Sequence, residues 1–177
     1  MRRFALTLHT LAERLSFVAV IIAVIAFITI PLLVAGQVVG RTFGFSIVGA
    51  PDYAAYSFAT VSFLGLPYAM KEFAHIRVSF LIDGPKHIRR FAEILSHVLG
   101  SALTAFAFYI AWQGVGFSLE FNDISQGHDA TPLWIPQSVM VIGFGLLFLL
   151  VFSRLLVLLF ARDVVLSSEK SIIGEEK

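Results

Sequence analysis

LSFVAVIIAVIAFITIPLLVAGQVV, residues 15–39, carries no charged side chain and exceeds the roughly 20 apolar residues a helix needs to cross a hydrocarbon layer. Three comparable stretches follow, at about Asp52 to Met70, Ile94 to Phe117 and Pro136 to Phe160. The expected fold is therefore all-α: a polytopic membrane protein of four transmembrane helices, with an interfacial segment between the second and third. Four spans within 177 residues, 58% of them hydrophobic and 14% charged, leave little chain for a soluble domain. Residues 1–162 are read as the integral membrane domain and 163–177 as a polar tail.

Lys and Arg are retained on the cytoplasmic side of short loops, so their positions give an orientation. Arg2, Arg3 and Arg14 precede the first span. Lys71, Arg77, Lys86, Arg89 and Arg90 lie between the second and third, and Arg154, Arg162, Lys170 and Lys177 mark the last end. Arg41 alone falls in a loop of the opposite side. Both termini are thus expected in the cytoplasm, with two external connections, about Gly40 to Pro51 and Ser118 to Ile135. Met1-Arg2-Arg3 before an apolar run has the start of a secretory signal, but the run is too long and more spans follow. With no cysteine, disulfides, thiolate metal sites and thiol redox couples are excluded. No nucleic-acid partner is expected.

Small residues mark where helices approach closely. The second span offers Ser57, Thr60, Ser62 and Gly65 before Pro67, and the third repeats Ser96, Gly100 and Thr104 at four-residue spacing, on one helix face. The first span, interrupted by Pro31, reads as nearly featureless lipid-facing sequence. The inner loop mixes cations with Phe73, Ile76, Val78, Phe80, Leu81 and Ile82, which places it along the membrane surface. Asp83-Gly84-Pro85 signals a turn and the start of a long third helix. From Leu133 to Phe160 the chain would extend about 40 Å as a helix, so the fourth must tilt, bend or overrun the hydrocarbon. Arg154 is expected to snorkel to phosphate groups or to meet a partner subunit.

Ion-coupled transport commonly needs charged groups or broken helices at mid-depth. Glu13, Asp52, Glu72, Asp83, Glu93 and Glu120 all fall at span ends or in loops, which argues against a self-sufficient exporter. A haem b site needs two imidazoles at similar depth. Of His9, His75, His87, His97 and His128, only His97 lies near a span interior. No phosphate loop, zinc-binding helix or nucleophile elbow is present. The chain is read as a non-enzymatic accessory or scaffold subunit with no catalytic residue, cofactor or metal. A haem- or quinone-associated anchor of a respiratory enzyme is the alternative.

Four local patterns sit in order along the chain: Gly40-Arg41-Thr42-Phe43-Gly44-Phe45-Ser46 after the first span, Phe63-Leu64-Gly65 in the second, His75-Ile76-Arg77-Val78 after it, and Thr131-Pro132-Leu133-Trp134-Ile135-Pro136 before the fourth. Together, from about Val38 to Gly145, they resemble the small Q-type membrane subunit of tripartite ATP-independent periplasmic (TRAP) transporters. Where members of that family often carry a tryptophan and paired acids, this chain has Gly49-Ala50-Pro51-Asp52 and a single acid.

The resemblance implies a bacterial inner-membrane importer of three parts. A periplasmic binding protein captures an organic acid, a large membrane subunit holds substrate and sodium and moves, and the small subunit enlarges the immobile scaffold in the lipid bilayer. On that basis Ser57, Gly65, Ser96, Gly100 and Thr104 become candidates for contact with the large subunit. Arg41, Asp123 and Asp129 become candidates for docking the binding protein. His75 and Arg77 are assigned to anchoring the inner loop, and Thr131 with Pro132 to shaping the turn before the fourth span.

Overall fold

The computed structural model describes residues 2–80 and 86–160, and the side chains of all of these but 72–80 and 86–89. The described residues form four helices: α1 (Arg2–Thr42), α2 (Ala50–Phe80), α3 (Lys86–Glu120) and α4 (Trp134–Phe160). Among the described residues the only extended pairing is an isolated bridge between Ile124 and Pro132, so the fold is an all-α four-helix bundle. Helices α1, α3 and α4 are long and apolar enough to cross a membrane. The 31-residue α2 has the length, but Asp52, Ser57, Thr60 and Ser62 dilute its apolar character. The hydroxyls of Thr60 and Ser62 donate to the carbonyls of Tyr56 and Phe58, 2.8 and 2.9 Å away, which satisfies them within the helix itself. The segment 81–85, with its Asp83-Gly84-Pro85 turn, and the tail 163–177 lie outside the described residues.

Helix α1 is already helical at Arg2, well before the apolar run that begins at Leu15, and its first turns pack on α4. Ala5 is buried on Val157 of α4, flanked by Leu6 and Leu156, and the Thr7 and Thr10 hydroxyls donate to Arg3 and Leu6 carbonyls. The buried positions Ala5, Ala12, Ser16, Ala19 and Ala23 recur at three-, four- and seven-residue steps, the spacing of a single helix face. A seam this narrow lets two backbones approach without a lipid tail between them. Ser16 is buried without cost to its hydroxyl, which donates to the Ala12 carbonyl at 2.8 Å.

Helix α4 is the hub. It packs on all three other helices, whereas α3 packs only on α4 among the described elements. Ala19, Ala23 and Leu64 close a common junction with Val139 and Leu146 of α4. Gly143 sets how near α2 can come: a Cβ there would lie 2.5 Å from the Phe63 carbonyl oxygen. On the other side Gly145 faces the Phe108 ring, and Gly100 of α3 faces Val151.

Two helices end alike. Phe45 N–H donates to the Gly40 carbonyl at 3.0 Å and Gly44 N–H to that of Arg41 at 3.2 Å, with Gly44 left-handed at φ 79°. These are the paired bonds of a Schellman cap, which reverses the chain within a few residues. At the end of α3, Asp123 N–H donates to the Ser118 carbonyl and Asn122 takes the left-handed position at φ 50°. Asparagine tolerates that conformation better than most residues.

Candidate functional site

The connection between α3 and α4 is built rather than slack. Ser125 N–H donates to the Thr131 carbonyl at 2.8 Å and Leu133 N–H to that of Asp123 at 3.0 Å, closing a short ribbon. Its tip lies over the start of α2, where Asp52 Oδ2 accepts the His128 N–H at 3.0 Å. Gly127 lets the tip approach closely, and a Cβ there would come within 2.5 Å of the Asp52 carboxylate and have to displace that side chain. Asp52 also sits in the first turn of α2, where a negative charge is favoured by the helix dipole.

Asp129 points into this knot. Its two carboxylate oxygens and the Tyr56 hydroxyl are covered, and none of the three makes a hydrogen bond of good geometry. The nearby Thr131 hydroxyl foremost, with those of Tyr56 and Ser125, still draws the Asp129 carboxyl below the ordinary carboxylate range. Asp123 is exposed, as is Arg41. Arg41 rims a shallow apolar groove between α1 and α2 lined by Leu33, Val34, Gln37, Ala50 and Ala54. Of the three residues considered for docking, Arg41 and Asp123 therefore present free charge, and Asp129 is engaged internally. Thr131 and Pro132 form one side of the ribbon.

The small residues of α2 and α3 do not form one surface. Nothing approaches a Cβ placed on Gly65 within 4 Å, and Ser96 is exposed. Ser57 and Thr104 are half-buried, and the Thr104 hydroxyl donates to the Gly100 carbonyl at 2.8 Å. Gly100 itself is used within the chain, against α4. The α3 face turned away from α4 is lined by Leu95, Leu99, Leu103, Phe106 and Ile110, all exposed. The side chains of His75 and Arg77 lie outside the described residues.

At the opposite end three helices bring polar groups together. His9 Nδ1 lies 3.1 Å from Ser153 Oγ, His9 Nε2 is 3.8 Å from Glu13, and Lys71 Nζ is 3.5 Å from the same carboxylate. Arg154 is close enough to act electrostatically on His9 and Glu13. Sequence spacing concealed this cluster, since its members come from α1, α2 and α4. Their shared position near span ends, with His9, Glu13 and Lys71 just outside and Ser153 and Arg154 just inside, was the available signal. Among the described residues no group of three or more metal-ligating side chains converges.

The model of the family described as "Tripartite ATP-independent periplasmic transporters, DctQ component" matches residues 30–161, from the last third of α1 through α4. No curated protein and no solved structure matches the chain. The matched segment covers most of the sequence and contains the Schellman turn, the α2–α4 glycine contact and the knotted loop. The chain belongs to the DctQ family of TRAP transporter components, and is a non-catalytic, multi-pass membrane protein of a transport system.

Proposed function

We propose that this chain is the small permease subunit of a TRAP-type secondary importer. It stabilises and extends the scaffold of the large membrane subunit during sodium-coupled uptake of an organic acid delivered by a periplasmic binding protein. The observation that carries this reading is family membership over residues 30–161. The architecture is consistent with it: every described carboxylate lies towards a helix end or in a loop, leaving nothing at mid-depth to bind a cation or substrate. Coupling is therefore assigned to the large subunit.

In this reading α2 also crosses the bilayer. It runs antiparallel to α1, with Ala50 and Ala54 beside Leu33 and Val34 at one end and Lys71 beside Glu13 at the other. From Asp52 to Lys71 it rises about 28 Å, close to the hydrocarbon thickness. Four crossings place both termini on one side, which the distribution of Lys and Arg assigns to the cytoplasm of a bacterial inner membrane. The large subunit then meets the outward α3 face, with Ser96 at its edge, and Gly65 with half-buried Ser57 on α2; Thr104, one turn from Gly100, lies towards α4. Arg41 and Asp123 face the binding protein.

Reconstitution tests the division of labour. Vesicles holding both membrane subunits and supplied with the binding protein should accumulate the organic acid along a sodium gradient, and vesicles holding this chain alone should not. Gradient-driven accumulation by the chain alone would overturn the proposal.

A further inference from the structure

We propose that the groove between α1 and α2 holds one phospholipid of the outer leaflet, with its phosphodiester on Arg41 and an acyl chain running inward beside Leu33 and Val34. The groove exists because α2 presents small side chains here. Ala50 and Ala54, one turn apart, leave a gap opposite Leu33, Val34 and Gln37 of α1. Its volume is about 240 Å³. The walls are chiefly apolar, yet one end carries a cation and the turn below it an amide.

The order of these groups identifies the occupant. Arg41 lies in the last turn of α1, level with the start of α2 and just past the apolar run that ends at Val39. Gln37 is one turn, about 6 Å, deeper on the same face, and Leu33 is one turn deeper again, on the hydrocarbon side of Arg41. Cation, amide and apolar wall follow one another inward. Phosphate, ester carbonyl and acyl chain follow one another in the same direction in a phospholipid. Both polar groups are uncommitted. The ion pairs of the described residues lie at the other end of the bundle, where α2 and α4 also run out of the described residues. Asp52, the acid beside the groove, is turned to the loop and accepts the His128 N–H. Gln37 Oε1 is covered and has no partner, whereas its amide nitrogen is not covered and is available to the groove. A guanidinium fork suits the acceptor oxygens of a phosphate, and an amide N–H suits an ester carbonyl. An aqueous anion would satisfy Arg41 and leave the apolar walls wet. An apolar side chain would fill the walls and leave Arg41 bare. The site does not depend on the transport reading, and its leaflet follows from the distribution of Lys and Arg.

The test uses the full chain in phosphatidylcholine nanodiscs doped with one of two photoactivatable lipids. One is a phosphatidylcholine with a diazirine on an acyl chain, the other a diacylglycerol with the same chains and no phosphate, and labelled residues are counted by peptide mass spectrometry. The phospholipid should label residues 33–38 and 50–54 roughly five-fold more than the diacylglycerol, the worth of one cation beside a phosphate. Arg41→Gln should remove that preference. Ala54→Leu, which fills the groove, should lower the label from both lipids there. Ala35→Leu, at an exposed position of α1 that does not line the groove, should change neither. If Ala54→Leu unfolds, Arg41→Gln, at an exposed position, carries the comparison alone. Equal groove labelling by the two lipids, or label spread evenly around α1, would overturn the site. A preference that survives Arg41→Gln would overturn it too, and a concurrent fall in binding-protein affinity would give Arg41 to that partner. So would an unlabelled groove in the complex together with release of the large subunit by Ala54→Leu, since the groove would then be a protein contact.

Discussion

Gly143 and Gly65 separate two uses of the same residue type. A methyl group at Gly143 would stand 2.5 Å from a backbone oxygen of α2, which cannot swing aside as a side chain would, whereas Gly65 faces open space. Gly143→Ala should cost about 1–3 kcal/mol and lower the thermal midpoint in detergent by roughly 2–10 °C. Gly65→Ala should leave the midpoint of the isolated chain unchanged. Asp52 can be tested similarly, because the Asp52→Ala chain leaves the His128 N–H without its acceptor. At about 0.5–1.5 kcal/mol for such a bond, cleavage of the 121–133 loop in limited proteolysis should quicken about 2- to 10-fold. The pH dependence follows from Asp129, whose carboxyl is depressed by the Thr131, Tyr56 and Ser125 hydroxyls. A group with a lowered folded pKa contributes stability above its unfolded value, near 4, and loses it as pH falls through the folded value. Loop protection against acid-active protease should therefore hold at neutral pH and fail below about pH 4, and Asp129→Asn should remove that dependence.

Among the elements, α1 is the one the sequence conceals. Its apolar run reads as lipid-facing all round, yet Ala12, Ser16, Ala19 and Ala23 form a buried stripe. Small residues scattered among Val, Ile and Phe carry little periodic signal until a second helix shows which face they serve. The α1 start was hidden for a related reason, since Ala5 is buried by a contact with residue 157 that no local pattern reveals. The fourth helix was legible to within a few residues of the span read from hydropathy, whereas α2 runs ten residues past Met70, to Phe80, and α3 is already helical at Lys86, eight residues before Ile94. The Ser96, Gly100 and Thr104 stripe was legible as a packing face, but Gly100 proves to serve the chain's own α3–α4 contact. Ala19→Leu should force α1 away from Leu64 and the α4 side chains beside it, destabilising the bundle by about 1–3 kcal/mol. Ala35→Leu, on an exposed part of the same helix, is the control with no expected change.

For the whole molecule, the arrangement gathers three helices around α4 and leaves the far side of α3 covered by none of the described residues. Length, charge and apolar runs were enough to read a membrane bundle. The tertiary groupings at its two ends were not legible, because Asp52 with Asp129, and Glu13 with Lys71 and Arg154, are each far apart in sequence. In the proposed function this lateral face docks the large subunit, which moves the solute. Recovery of the large TRAP membrane subunit with this chain, by affinity purification in mild detergent from cells expressing both, tests that claim most directly. A single co-eluting complex is expected, which Leu103→Arg on the outward α3 face disrupts while the isolated bundle stays folded. A chain that elutes alone, or a complex indifferent to that substitution and to others along the same face, would contradict it.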